Sequence, residues 1–485
     1  MSFLSRTERS FLRAVSQLAY CNPFLPERIE SERAALGADF VEGEPVWSLP
    51  VDQPERPRAN AWLIAGKLEP LVEQLRARLS AEVREEDLAL YEDGVLHLLY
   101  QRYYGRIGAR QWNCYRDFLA DWRHFFRLEG AARQDPCHNF AWARQIQLAF
   151  DQIFRDIIGS SIPAARLRAS VWQSIFTHDM RRYRRTLYQR MGDFATLITG
   201  PSGTGKELAA RAIAQSRYVP FDDRRLVFAN DGASSFFPIN ISALSPTLVE
   251  SELFGHRRGS YTGAIADRKG WLETCPALGS VFLDELGDLD PTIQVKLLRV
   301  IETRTFHPVG DTASRQFQGK LIAATNRDLA ADIQKGRFRE DLYYRLCSDQ
   351  IVTPSLAEQI AGTPHLLQEL VVYMARRIAG PESADLAQEV IAWIGRNLEA
   401  DYAWPGNYRE LEQCIKNVLI RRDYRPSRST ADPLDRLTLD FRNGSLTADE
   451  LLSRYCTLVY RQTGSYEETA RRLGIDRRTV KSKIQ

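Results

Sequence analysis

The 485-residue chain has no apolar stretch long enough to cross a bilayer, no CxxC pair, no internal repeat and no low-complexity tract. The first absence excludes a membrane-spanning helix, which needs about 20 consecutive apolar residues. The seven cysteines, at 21, 114, 137, 275, 347, 414 and 456, are scattered and odd in number. That excludes a disulfide framework and agrees with a reducing cytosol. The opening MSFLSRTERSFLRAV puts Arg6, Glu8 and Arg9 where a signal peptide needs apolar residues, so a cytoplasmic protein without a membrane partner is expected. Charge of one sign is scarce too: 65 Lys and Arg against 62 Asp and Glu leave a net charge of +3. Any nucleic-acid surface must therefore be local. What is present is ordinary for a soluble globular chain, 44% hydrophobic and 26% charged, with length for roughly three domains.

Residues 1–165 read as a helical domain. Trp112, Tyr115, Phe118, Trp122 and Phe125 recur at three- and four-residue spacing, which places them on one face of a packed helix rather than around a ligand. Cys137 and His138 are adjacent but lack further ligands at zinc spacing. Between residues 161 and 190 there are seven arginines (166, 168, 181, 182, 184, 185 and 190) against one acid, Asp179. Residues 166–190 read as a basic helical linker, solvated or facing a ring, with nucleic-acid contact as the alternative.

From residue 191 short apolar runs alternate with helical segments. DFATLITG (193–200), FFPINIS (236–242), SVFLDEL (280–286) and KLIAATN (320–326) each read as a buried strand. Strands alternating with helices imply a parallel sheet with helices on both faces. The expected boundaries are an α/β subdomain over 191–352, a helical subdomain over 353–424, a linker over 425–444 and a helical unit over 445–485.

GPSGTGKE supplies Gly200, Pro201, Ser202, Gly203, Thr204, Gly205, Lys206 and Glu207 between a strand and a helix. Glycines let successive N–H groups point at phosphate oxygens, the helix N-terminus adds its dipole, and Lys206 adds charge. Glu207 stands where the general pattern has the magnesium-binding Ser or Thr. Asp284 and Glu285 end a hydrophobic strand, the side of a parallel sheet where ligands sit. There Asp284 suits Mg2+, held largely through water, and Glu285 suits an attacking water. Asn326 ends the next strand as a γ-phosphate sensor. RFREDLYYRL carries Arg337, Arg339 and Arg345, suited to a transferring phosphoryl group or to surface ion pairs. WPGNYRELE puts Arg409 in the first turn of a helix, a second sensor position.

Over roughly residues 170–420 the chain resembles the AAA+ module of bacterial sigma-54-dependent activators, the enhancer-binding proteins. GPSGTGKE, PINISALSPTLVESELFGHRRGSYTGA, GSVFLDELGD, QVKLLRVIE, AATNRDL, FREDLYYRL and WPGNYRELE carry the likeness, and the family also has Glu after the loop lysine. The resemblance implies a multidomain protein: a mostly-α N-terminal domain, an α/β P-loop AAA+ core, a helical lid and a C-terminal helix-turn-helix. It implies ATP and Mg2+ as cofactors. It implies that the loop Gly259, Ser260, Tyr261, Thr262, Gly263 and Ala264 contacts sigma-54 RNA polymerase, rising and falling with nucleotide state. Asn240 would restrain Glu285, and Arg339 and Arg345 would act on a neighbouring subunit's nucleotide, so the active species would be a ring, expected as a hexamer. Tyr261 and Ser260 stand where the family has Phe and Ala. TPSLAEQIAG (353–362) replaces an arginine-containing segment, which bears on the coupling of the lid to nucleotide.

In the last forty residues Thr447 with Glu450 and Ser465 with Glu468 form capping-box patterns, Asp476 can cap a third helix, and Gly464 and Gly474 mark turns. This spacing reads as a helix-turn-helix. Arg477, Arg478 and Thr479 open the last helix towards base edges, and Lys481 and Lys483 suit phosphates of double-stranded DNA. The segment resembles a Fis-type DNA-binding domain, which would bind an upstream enhancer-like site as a dimer, and it stops soon after the recognition helix begins.

The leading expectation is a sigma-54-dependent activator that remodels the closed polymerase complex. The alternatives are a DNA-binding AAA+ regulator independent of sigma-54, with ATP setting its oligomeric state, and a remodelling ATPase whose terminal helices bind protein. No receiver-domain pattern is present. Residues 1–165 are expected to receive the signal, from a small molecule, RNA or protein.

Overall fold

In the computed structural model, residues 3–43, 59–80, 82–126, 135–229, 236–261, 263–363, 365–399, 401–426 and 446–484 are described. The chain divides into two compact units, Met1–Ile420 and Arg421–Gln485.

The N-terminal part is helical: α1 (Arg6–Tyr20), α2 (Glu27–Leu36), α3 (Ala59–Arg78), α4 (Glu85–Gly108), α5 (Tyr115–Phe125), α6 (Pro136–Asp156), α7 (Ile162–Phe176) and α8 (Met180–Arg185). Local signals start these helices. Ser5 and Glu8 make a reciprocal capping box on α1, and Asp135 and Ser161 cap α6 and α7, each ahead of a proline in the first turn. The aromatic periodicity is core, as expected: Tyr115, Phe118, Trp122 and Phe125 are buried on α5, and Trp112 sits in the turn before it.

β1 (Thr196–Thr199) leads through the glycine-rich loop into α9 (Lys206–Gln215). A small antiparallel hairpin, β2 (Phe221–Asp222) with β3 (Val227–Phe228), precedes β4 (Phe236–Asn240), α10 (Pro246–Phe254), α11 (Trp271–Thr274) and β5 (Ser280–Asp284). Then come α12 (Pro291–Thr303), a second hairpin of β6 (Thr305–Phe306) and β7 (Arg315–Gln316), β8 (Lys320–Thr325), α13 (Leu329–Gln334), α14 (Glu340–Leu346) and β9 (Asp349–Val352). The main sheet has the order β4-β5-β8-β1-β9, and every pairing in it is parallel. Leu197, Leu283 and Ala323 face one core with α12 and α14, while Ile198, Phe282 and Ile322 face another with α7 and α9. Burial on both faces explains why these strands read as continuous apolar runs. The register sets Asn240 beside Asp284 and Thr199 beside Thr325, so the ligand-facing strand ends line up.

A lid of α15 (Leu356–Ala361), α16 (Leu366–Ala379), α17 (Ser383–Asn397) and α18 (Asn407–Arg421) follows.

The structure changes the expected N-terminal boundaries. Residues 166–190 are not a solvated linker: α7 packs into the sheet core, and Arg168 and Arg184 are buried. Arg168 donates to the carbonyls of Ile157 and Gly159 and stacks on Phe154 at 4.7 Å; burial lowers its pKa to about 10. Nor does packing stop at residue 165. Trp142, Ala149 and Ile153 of α6 share a core with Ala209 and Ile213 of α9. The ring of Tyr115 lies 4.9 Å from that of Phe221, as does that of Phe140, so the first hairpin belongs to the N-terminal core.

His138 is also structural. Its Nδ1 meets the Tyr218 hydroxyl at 2.9 Å and its Nε2 the Arg184 carbonyl at 2.8 Å.

The second unit holds helices Ala448–Thr463, Tyr466–Leu473 and Arg477–Lys483. The Thr447–Glu450 capping box forms. Gly464 and Gly474 end their helices in the left-handed region, at φ 65° and 66°. The 425–444 linker lies outside the described residues from residue 427 onward.

Candidate nucleotide site

The glycine-rich loop carries positive φ at Gly200 (144°), Gly203 (77°) and Gly205 (88°), a path that side-chain-bearing residues rarely follow. Close approach adds a second reason. A Cβ on Gly200 would come within 2.6 Å of the Thr353 carbonyl oxygen, and one on Gly203 within 2.3 Å of the Gly406 carbonyl oxygen. Thr204 Oγ1 bonds Thr353 Oγ1 at 2.7 Å and donates to the Pro201 carbonyl at 2.8 Å. Lys206 is buried and donates to the carbonyls of Gly200 and Pro201, each at 3.0 Å. Desolvation lowers its pKa, with Glu285 and Asp284 opposing the shift. Glu207 is exposed and paired with Arg211 at 2.7 Å.

Asp284 and Glu285 face the loop from the end of β5. Burial raises the pKa of Asp284, countered by the Glu285 amide, which donates to its Oδ1 at 3.1 Å, and by Lys206. Glu285 stands in the left-handed region at φ 56°. Its Oε2 accepts from the Asn326 backbone amide at 3.4 Å. The structure thus brings Asn326 to Glu285 through the main chain. Asn240 lies beside Asp284 in the sheet register, and its Oδ1 accepts from the Ser242 hydroxyl (2.8 Å) and the Ala243 amide (3.2 Å), capping a turn.

The lid closes the cleft. Arg409 Nη1 reaches Ser202 Oγ at 3.4 Å, the Tyr408 amide donates to the Gly203 carbonyl at 3.1 Å, and Asn407 Nδ2 donates to the Ser202 carbonyl at 2.9 Å. Asn407 Oδ1 meanwhile accepts from the Leu356 amide at 2.7 Å. The resulting cleft is about 430 Å³, with Lys206, Asp284, Glu285 and Arg409 in its wall, within the size range of small-molecule sites. Three contributors were missed from sequence. Asn407 ties lid to loop, Arg377 of α16 adds a cation, and Ile157 with Ile158, between α6 and α7, forms an apolar end. The apolar pair before Gly159-Ser160-Ser161 and the strained Trp404-Pro-Gly-Asn407 turn (φ 47° and 52° at its ends) were the available signals.

Arg339 and Arg345 lie outside this cleft. They are exposed and paired with Asp341 (2.6 Å) and Glu302 (3.1 Å); Arg337 pairs with Asp332 at 2.7 Å.

On either side of residue 262 the 259–264 loop is held by backbone bonds. Gly259 N–H donates to the Ala264 carbonyl at 2.8 Å, and Ala264 N–H to the Tyr261 carbonyl at 3.0 Å. Its base is held by Arg257, paired with Asp267 (2.5 Å) and Asp311 (2.9 Å), and by backbone bonds to Val309 in the second hairpin. Ser260 packs over Gly310 of that hairpin. Tyr261 packs back onto its own domain. It is half-buried, edge-on to His256 at 5.1 Å, with its hydroxyl 3.4 Å from Ser251 Oγ. Ile265, 84% exposed, is the apolar side chain presented to solvent. Thr262 lies outside the described residues.

In the second unit Arg478 and Lys481 are exposed and Thr479 is half-exposed. Arg477 is held by Glu467 at 2.9 Å, and Lys483 pairs with Asp449.

A phosphate loop after the fourth strand of a β4-β5-β8-β1-β9 sheet, facing an acidic strand end under a helical lid, defines a P-loop domain of the AAA+ ATPase class. Residues 175–352 match the family model described as the Sigma-54 interaction domain. The chain is 40% identical over 224 residues to a Nif-specific regulatory protein of Azotobacter vinelandii, covering 46% of this chain and 39% of that protein. It is 38% identical over 307 residues to the transcriptional regulatory protein ZraR of Klebsiella oxytoca, covering 60% and 63%. To the luminescence regulatory protein LuxO of Vibrio campbellii it is 38% identical over 242 residues, covering 50% and 49%. The chain thus spans about half the length of the curated relatives it matches. Among solved structures, NtrX from Brucella abortus in complex with ATP aligns at 24% identity over 73% of this chain and 76% of that one, with a TM-score of 0.41. Among the described residues no helix is long and apolar enough to cross a membrane.

Proposed function

We propose that the protein is a sigma-54-dependent transcriptional activator that hydrolyses ATP as a ring oligomer and uses the 259–264 loop to remodel the closed complex of sigma-54 RNA polymerase. The observation that carries this reading is the convergence of Lys206, Asp284, Glu285 and Arg409 on one cleft, within a segment matched to the sigma-54 interaction domain. The cleft fits a nucleoside triphosphate: cations and loop amides suit phosphates, and Ile157 and Ile158 suit a base. Asp284 offers the hard oxygen that Mg2+ requires, and bound ATP with Mg2+ supplies the phosphoanhydride and neutralises its charge. Lys206 exchanges the carbonyls of Gly200 and Pro201 for phosphate oxygens. Glu285, steadied by the Asn326 amide, orients a water and takes its proton. Arg409 carries the state of the cleft into the lid. Arg339 and Arg345, outside their own cleft, are available to a neighbouring subunit's site, and Arg478 and Lys481 to duplex DNA.

Glu285→Gln is expected to lower ATP hydrolysis by at least about 100-fold while a fluorescent ATP analogue still binds. Turnover near the wild-type rate removes the catalytic assignment. Capture of sigma-54 in the presence of a transition-state nucleotide analogue, and not without it, tests the partner. The packing of Tyr261 against His256 favours a second reading, a DNA-binding AAA+ regulator that works without sigma-54 and uses ATP to set its oligomeric state. ATPase activity with no sigma-54 capture selects it.

A further inference from the structure

A second cavity, of about 280 Å³, lies at the opposite edge of the main sheet from the nucleotide cleft. The strands are parallel, so β1, β5 and β8 all begin at this edge and end at the cleft. Gly192 before β1, Leu278 before β5 and Lys320 at the start of β8 wall it on one side; Gln145 of α6, Tyr183 of α8 and Arg217 after α9 wall it on the other. The two sites have no wall residue in common. One water needs about 10–15 Å³ of such space, so the cavity has room for a small polar molecule.

Two cations in this wall carry a charge that nothing offsets. Lys320 is buried and donates to the carbonyls of Phe194 at 2.9 Å and Met191 at 3.4 Å. Arg217 is half-buried, and its Nη1 donates to the carbonyls of Ala277 at 3.0 Å and Gly279. Among the described residues neither forms an ion pair. Carbonyls satisfy protons but leave the charge, whereas buried charges are normally paired. Burial accordingly lowers the pKa of Lys320 to about 8 and that of Arg217 below its ordinary value. The neighbouring charged groups are otherwise engaged. Asp193, also in the wall, pairs with Arg304 at 3.3 Å, and Asp349 accepts from Thr196 Oγ1 at 2.8 Å.

Donors for an anion remain. Arg217 Nε and Nη2 make no hydrogen bond among the described residues. Nη2 lies against the wall residue Gly192, where a Cβ would come within 2.5 Å of it. Tyr188, also in the wall, accepts from Gln189 Nε2 at 3.0 Å and keeps its own proton to donate. A guanidinium fork beside an ammonium suits a tetrahedral oxyanion. A phosphate ester carries about 1.5 to 2 negative charges at pH 7, which offsets both unpaired cations; a single carboxylate offsets one.

We propose that this cavity binds a phosphate group, free or carried on a small polar molecule, held by Arg217, Lys320 and the Tyr188 hydroxyl. The site is independent of the nucleotide reading, and its failure leaves that reading untouched. Its occupant would touch α6 and α8 as well as the strand starts, and so join the N-terminal helices to the ATPase core.

The glycine-rich loop also offers phosphate a seat, so the test uses the full chain carrying Lys206→Ala. It is titrated calorimetrically at constant ionic strength with inorganic phosphate, ribose 5-phosphate and acetate. Saturable one-to-one binding of a phosphate compound is expected, and the tighter of the two names the source. Adding Arg217→Gln is expected to weaken binding at least about 10-fold, and Tyr188→Phe about 3- to 10-fold. Gln318→Trp, at an exposed position of the wall, is expected to remove binding by filling the cavity, and it disturbs no buried group should Arg217→Gln fail to fold. No saturable heat with either phosphate compound at millimolar concentration overturns the site, as does an affinity unchanged by both Gln318→Trp and Tyr188→Phe. Acetate binding as tightly as phosphate overturns the assignment to a phosphate group.

Discussion

Glu285 spends free energy on its position. A residue other than glycine at φ 56° costs on the order of 1–3 kcal/mol, and here that geometry lets the carboxylate reach the Asn326 amide. His97 has a different cost, in protons. Its folded pKa of about 4 lies below the ordinary 6.5, so between these values the unfolded chain binds a proton that the folded chain does not. Stability therefore rises with pH through this window and is lost on acidification from pH 6.5 towards 4, by up to about 3 kcal/mol. Chemical denaturation at pH 7 and pH 5 is expected to show the loss, and His97→Leu to reduce the difference. A wild-type midpoint equal at the two pH values, or a His97→Leu slope like the wild type's, contradicts it. That Lys206, Asp284 and Glu285 share one cleft was legible in sequence, because a glycine-rich loop and a carboxylate pair after an apolar strand are local patterns. Asn407 and Ile157 were not, because an asparagine in a turn and an apolar pair before a glycine carry no chemistry until the fold sets them beside the loop. Asn240 was read as a restraint on Glu285; its oxygen caps the turn that follows, which leaves its amide nitrogen as the group that such a restraint would use.

Among elements, the four strands read from apolar runs are all present, and the fifth was missed. β9 is four residues long and begins with Asp349 and Gln350, so neither length nor hydropathy announced it. The 259–264 loop shows a limit of another kind. Glycines at 259 and 263 revealed a turn, but the side on which Tyr261 lies depends on His256 and Ser251, whose place is set by tertiary structure. The contact between lid and phosphate loop gives a sharper expectation. Gly203→Ala would set a methyl 2.3 Å from the Gly406 carbonyl at φ 77°. This variant is expected to lose the seat of α18 on the loop and to bind ATP at least about 10-fold more weakly, for a cost above 1.4 kcal/mol. Titration with a fluorescent ATP analogue checks this, and wild-type affinity would contradict it.

At the scale of the molecule, the punctuation of the C-terminal helices was plain because caps and glycines are local. The union of the N-terminal helices with the ATPase core was hidden, because Tyr115, Phe140, Phe221 and Phe228 are far apart in sequence and meet only in space. In the full chain, Lys481→Ala is expected to weaken binding to duplex DNA across sequences and to reduce the slope of log affinity against log salt by about 1. Fluorescence anisotropy across a salt series reads that slope, and an unchanged slope removes Lys481 from the phosphate contacts.

The shared core also decides where this protein can be shortened. Trimming it at residue 165 would strip α6 from Ala209 and Ile213 and leave Phe221 and Phe228 bare, a greasy scar on the ATPase itself. A trimmed protein that clumps or falls silent would then report the wound and say nothing of a lost inhibitor or a lost activator. Point changes on intact chains are the cleaner way to ask whether the N-terminal helices influence the nucleotide cleft.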